Sequence, residues 1–169
     1  MKNKVTKFVL AALFAALTFI MTWIAIPTPT VGNVNLGDCM VLFGAYILGA
    51  YGVLSGAVGA ALCDLASGYV IYAPGTLLIK ALMAAAVLLF RKRAVKSGKL
   101  LPFALSGALA EILMIAGYFI YESLVLGYGL GAAANIPFNA IQGTISLVAA
   151  SVLFTATKNL KAVKSIIEK

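Results

Sequence analysis

Histidine is absent from this chain, acidic residues number only five, and cysteine occurs twice. Without histidine, neither a Ser-His relay nor a His-ligated metal can be assembled. Cys39 and Cys63 stand in apolar surroundings with no cation close in sequence, which suits small buried hydrophobes. No Gly-x-x-x-x-Gly-Lys-Ser/Thr loop occurs, so the chain has no phosphate cradle with which to hydrolyse ATP. No catalytic residues, metal site or cofactor are expected, and any energy must come from a partner or an ion gradient. Linkers rich in Pro or Ser and low-complexity tails are also missing, which predicts one domain over residues 1–169.

Charge is scarce and one-sided. Hydrophobic residues make up 63% and charged residues 11%, yet the net charge is +8. A nucleic-acid module would gather cations on one folded face amid polar neighbours. Here they cap apolar runs, which excludes nucleic acid as a partner and points to an integral membrane protein. The clusters are Lys2, Lys4 and Lys7; Arg91, Lys92, Arg93, Lys96 and Lys99; and Lys158, Lys161, Lys164 and Lys169. Short basic loops stay on the cytoplasmic side, so both termini and the middle loop are expected there. The remaining cation, Lys80, lies inside an apolar run and needs another reason to exist. A cleaved leader is not expected, because the chain beyond the first apolar run is no secreted domain.

Crossings of ~20 residues can be counted from these signals. Phe8 to Ile26 supplies the first and ends at Pro27-Thr28-Pro29, leaving Thr28 to Asn35 as an outer loop. Leu36 to Tyr72 is expected to fold back near Gly49 to Gly52, with a short second helix from Asp38 to Leu48 and a third from Gly52 to Ser67. A fourth runs from Pro74-Gly75 to Phe90, a fifth from Leu100 to Val125, and a sixth from Ile136 to Ala156, after the glycine-rich 127–134. The predicted fold is therefore all-α, a six-transmembrane-helix bundle with cytoplasmic N and C termini. Long alternating segments of the kind a membrane β-barrel needs are absent.

Small residues suggest how helices meet. Gly52, Gly56 and Ala60 form a row that reads as internal packing, whereas Ala11, Ala12, Ala15 and Ala16 make overlapping rows near the cytoplasmic end, open to an external partner.

A charge in hydrocarbon costs at least ~2.5 kcal/mol and so calls for compensation. Asp38, Asp64, Lys80 and Glu122 all fall in the outer half of the predicted bundle, and Glu111 near mid-depth. Asn33 and Asn35 in the first loop, and Asn135, Asn139 and Gln142 at the outer start of the sixth helix, join them. Trp23, Tyr69, Tyr72, Tyr118, Tyr121, Tyr128 and Phe138 supply aromatic walls. A few polar groups in an apolar and aromatic concavity make a small-molecule site. Two other readings stand beside it: the aromatics suit an interfacial belt, and Asp64 and Lys80 could neutralise each other. The candidate substrate-binding set is Asn33, Asn35, Asp64, Tyr72, Lys80, Tyr118, Tyr121, Glu122, Asn135, Asn139 and Gln142.

Several of these residues sit in motifs that resemble the substrate-binding S components of energy-coupling factor (ECF) vitamin transporters. They are Val34-Asn35-Leu36-Gly37-Asp38, the run Asp64-Leu65-Ala66-Ser67-Gly68-Tyr69, Ala73-Pro74-Gly75-Thr76-Leu77-Leu78-Ile79-Lys80, and Asn135-Ile136-Pro137-Phe138-Asn139-Ala140-Ile141-Gln142-Gly143. The resemblance implies a six-helix bundle in the bacterial plasma membrane that holds one vitamin or precursor near its outer face, under a lid formed by the first loop. It implies docking of Ala11, Ala12, Ala15 and Ala16 on a membrane scaffold subunit that carries two cytoplasmic ATPases, and a toppling of the bundle that frees the cargo inside. The sequence looks closest to the branch that takes riboflavin, pyridoxine and hydroxymethylpyrimidine. The first loop lacks a long Pro-rich, acidic pattern, so a B6 vitamer or hydroxymethylpyrimidine is expected ahead of riboflavin, with Lys80 facing an acidic or carbonyl group. A stand-alone carrier or channel is the alternative of another class.

Overall fold

A computed structural model of the protein describes residues 2–30 and 32–167; Lys169, counted above with the third basic cluster, lies outside them. Helix α1 spans Lys2–Trp23, α2 Gly37–Leu48, α3 Ala50–Ala66, α4 Ala73–Ser97, α5 Leu100–Ile120, α6 Ile136–Thr157 and α7 Lys161–Ile167. Four stretches are long and apolar enough to cross a membrane: Lys4–Trp23, Ala73–Ser97, Leu100–Val125 and Gly129–Thr157. The two shorter apolar helices, α2 and α3, complete the bundle.

Helix α2 is the axis. Its 12 residues span about 18 Å, too short to reach both faces of a bilayer unaided. It does not need to, because every residue in it except Met40 is buried and α1, α3, α4 and α6 all pack around it. A helix apolar on all sides is stable only in such an enclosure. Close approach is possible because Gly52 of α3 lies on the Gly44 carbonyl, where a Cβ would collide, and Gly56 lies on Val41, where a Cβ would be crowded. The glycine row expected to pack internally therefore does so, against α2.

The chain turns from α2 into α3 at a single residue, Gly49, whose φ of 62° a side chain would strain. Arg91 closes the end of α2, its Nε donating to the Tyr46 carbonyl at 2.7 Å and its Nη2 to that of Ile47 at 3.1 Å. These carbonyls have no partner within the helix. Nearby, Tyr46, Phe103 and Phe154 form a fully buried aromatic knot, with Phe103 and Phe154 stacked at 4.8 Å and Tyr46 edge-on to Phe154 at 4.9 Å.

The basic residues collect at this same end. Lys7 lies over the Tyr51 ring at 6.0 Å, Arg91 holds α2, and Lys158 Nζ donates to the Gly98 carbonyl at 2.9 Å. Successive helices α1 to α6 therefore alternate in direction, and residues such as Thr22, Asp64, Thr76 and Gln142 come together at the opposite end.

The structure departs from the sequence expectation in several places. Helix α1 stops at Trp23 rather than Ile26, and the outer loop is a small hairpin in which β1 (Ala25–Pro27) pairs antiparallel with β2 (Asn33–Asn35), Ile26 opposite Val34. Three-residue strands leave no alternation to read, and Pro27 is tolerated because it stands on a strand end. Helix α4 continues to Ser97, since Arg, Lys and Ala are strong helix formers, and ends at the left-handed Gly98. The short α7 was not expected; Val163, Ile166 and Ile167 fold back on the core.

Candidate functional site

At the end away from the basic clusters, a cavity of about 110 Å³ opens beneath the β1–β2 hairpin. The end of α1 contributes Thr22 and Trp23, and the hairpin contributes Asn33 and Asn35. From α3 and the turn after it come Cys63, Asp64, Ser67, Tyr69 and Tyr72, and from α4 Thr76 and Lys80. Tyr118 and Glu122 line it from α5 and the π-helical turn Tyr121–Val125, and Asn139 and Gln142 from α6. A π-helical turn shifts the helix register by one residue and is frequent at functional positions. Here it carries Glu122, which is 3% exposed.

The polar groups are joined in two networks. In the first, Lys80 Nζ donates to Asp38 Oδ1 in a buried ion pair. Gln142 Nε2 donates to Asp38 Oδ2 at 2.7 Å, and the Asn35 backbone N–H donates to Gln142 Oε1 at 3.0 Å. Asn35 Oδ1 in turn accepts the Gly37 N–H at 2.9 Å, at the start of α2. One amide side chain thus ties the hairpin to the ion pair. The Lys80 ammonium also lies 5.2 Å from the centre of the Tyr118 ring, a favourable cation–π arrangement. Tyr118 Oη and Thr76 Oγ1 share a hydrogen bond of 2.9 Å.

The second network centres on Glu122. Asn135 Nδ2 donates to its Oε2 at 2.7 Å, and Tyr72 Oη reaches its Oε1 at a long 3.4 Å. Burial, and then the Glu122 carboxylate, push the Tyr72 phenol up, which keeps it a donor. Asp64 Oδ2 is different: it is shielded from solvent and has no hydrogen-bond partner.

All members of the candidate set line this cavity except Tyr121 and Asn135. Tyr121 is turned away, its hydroxyl donating to the Ile71 carbonyl at 2.6 Å while its ring covers Gly75. Asn135 stands behind Glu122 as its donor. The possible Asp64–Lys80 pair gives way to Asp38–Lys80, the only ion pair among the described residues. Asp38 was recognised as an outer-half charge but not as a site residue, and Thr22, Cys63 and Thr76 carried no signal beyond their places near the motifs. Glu111 stays outside the cavity, buried against Gly143 with neither carboxylate oxygen hydrogen-bonded.

On helix α1 the alanine rows divide. Ala12 and Ala16 are exposed, whereas Ala11 and Ala15 are half-buried, the Ala15 carbonyl lying against Gly59 of α3.

Long apolar helices and a polar chamber at one end define a membrane protein with an internal cavity among its helices. A family model for the ECF-type riboflavin transporter S component matches residues 2–159, and the chain belongs to that family. It is also 32% identical over 135 residues to a Pyrococcus woesei protein described as an uncharacterized protein in gap 3'region, a match covering 79% of this chain and 88% of that one.

Proposed function

We propose that this chain is the S component of an ECF-type importer, crosses the membrane six times with both termini cytoplasmic, and binds a single-ring vitamin or precursor in the hairpin-covered cavity. A B6 vitamer or hydroxymethylpyrimidine is the substrate class that fits best. The observation that carries this reading is the convergence of Asp64, Lys80, Glu122, Asn139 and Gln142, from separate helices, on one chamber opposite the basic end. A membrane helix keeps such residues inside only where they meet each other or a solute. A cavity of about 150 Å³ takes up a benzene ring, so at about 110 Å³ the chamber is at the lower limit for one ring, and a substituted ring would enter with some yielding of the hairpin above it.

Riboflavin is the second reading, supported by the family's description. Its three fused rings would require the hairpin to open further. In either case the exposed row of Ala12 and Ala16 is the surface offered to the scaffold subunit, which would carry the two ATPases.

Equilibrium dialysis of the purified protein against labelled vitamins tests the reading. Binding of at least one ring compound tighter than about 10 μM, worth ~7 kcal/mol, is the expected result; binding of none removes its basis. Liposomes holding this chain alone should show no sustained uptake, and uptake without partners or ATP would favour a stand-alone carrier.

A further inference from the structure

We propose that the cavity selects a ring that presents a cationic or N–H-donating edge, an amino-substituted or protonated heterocycle, and that Asp64 receives that edge. This rests on the binding reading above and narrows it to a charge class.

The single cation in the chamber is already committed. Lys80 is paired with Asp38, whose second oxygen is held by Gln142, whose own acceptor is held by the Asn35 N–H. That chain neutralises the Lys80 charge against Asp38, so an added carboxylate or phosphate on a ligand would have to compete with Asp38 for it. The expectation that Lys80 faces an acidic group is therefore not supported by this arrangement.

What remains open is acceptor capacity. Asp64 lines the chamber, and with Thr76 and Lys80 nearby its Oδ2 is still shielded from water and without a hydrogen-bond partner. Glu122 takes neutral donors from Asn135 and Tyr72, and no cation lies within ion-pair distance of either carboxylate among the described residues. A buried carboxylate left so is costly until a donor or cation arrives. The aromatic walls act in the same direction, since ring faces attract cations and repel anions. A neutral ring with acceptors alone would leave the Asp64 oxygen unmatched, and an anionic ring would meet two carboxylates.

The B6 vitamers allow a direct test, because pyridoxamine, pyridoxine and pyridoxal differ at one substituent, an ammonium, an alcohol or an aldehyde. Affinities of these three, of 4-amino-5-hydroxymethyl-2-methylpyrimidine and its analogue lacking the 4-amino group, and of riboflavin are measured on the purified protein. The amino compound of each set should bind at least about tenfold tighter than its neutral counterpart, as charge-assisted hydrogen bonds do. In Asp64→Asn that preference should vanish, with the thermal midpoint in detergent reporting that the variant is folded. Equal affinities, tightest binding of pyridoxal or riboflavin, or a preference unchanged in Asp64→Asn would overturn the proposal while leaving a vitamin receptor in place. The wild-type ranking decides even if Asp64→Asn does not fold. Failure of every compound to bind would take the receptor reading down as well.

Discussion

Gln142 links two parts of the site, since its amide joins the hairpin backbone to Asp38 and through it to Lys80. Gln142→Ala should leave the ion pair standing but free the hairpin, lowering affinity roughly tenfold, the worth of about one well-placed hydrogen bond; titration of the variant checks this. Lys80→Met or Asp38→Asn is a different matter. Each strands a buried charge or its partner and should cost about 3 to 5 kcal/mol of stability, while the double variant Asp38→Leu/Lys80→Met recovers most of the loss. Thermal unfolding in detergent separates the three. That Lys80 required a buried partner was legible from its apolar surroundings. Which aspartate would serve was not, because Asp38 and Asp64 both lie at outer helix ends, and only the rotation of α2 about its axis turns Asp38 toward Lys80.

Among the elements, α1 shows how far a pattern can be read. Its alanine spacing announced a close-packing surface, but two overlapping rows cannot both face the same way. Gly59 of α3 draws the Ala15 backbone inward, leaving Ala12 and Ala16 outside. Ala12→Trp should therefore abolish co-purification with the scaffold subunit and spare vitamin affinity. Ala15→Trp should lower the thermal midpoint of the isolated protein. A reversed outcome would move the docking face. Prolines and apolar run lengths exposed the principal helices in the sequence, whereas the β1–β2 hairpin and α7 were hidden, being too short to display a period. The π-helical turn at Tyr121–Val125 left no mark either, and Tyr121, expected in the site beside Glu122, points elsewhere.

At the scale of the whole molecule, the basic clusters and the cavity lie at opposite ends, which makes sidedness testable. In a background with Cys39 and Cys63 replaced by Ala, single cysteines at Ser97 and at Gly131 should react from opposite sides of intact cells, Gly131→Cys from outside and Ser97→Cys only after permeabilisation. Labelling of both from the same side would break the six-crossing arrangement. The basic clusters together with the run lengths could propose this sidedness but not the closure of the bundle, which depends on contacts distant in sequence such as Arg91 with the end of α2.

Below the chamber, the enclosed helix α2 and the knot of Tyr46, Phe103 and Phe154 fill the bundle from the ligand floor to the basic end. A solute bound as proposed under the hairpin would face this packed interior among the described residues, so no through-path for waters or ions is expected. Planar bilayers loaded with the chain should be electrically silent, with no unitary currents at any holding potential. On the proposed reading, doorway and exit would then be one and the same.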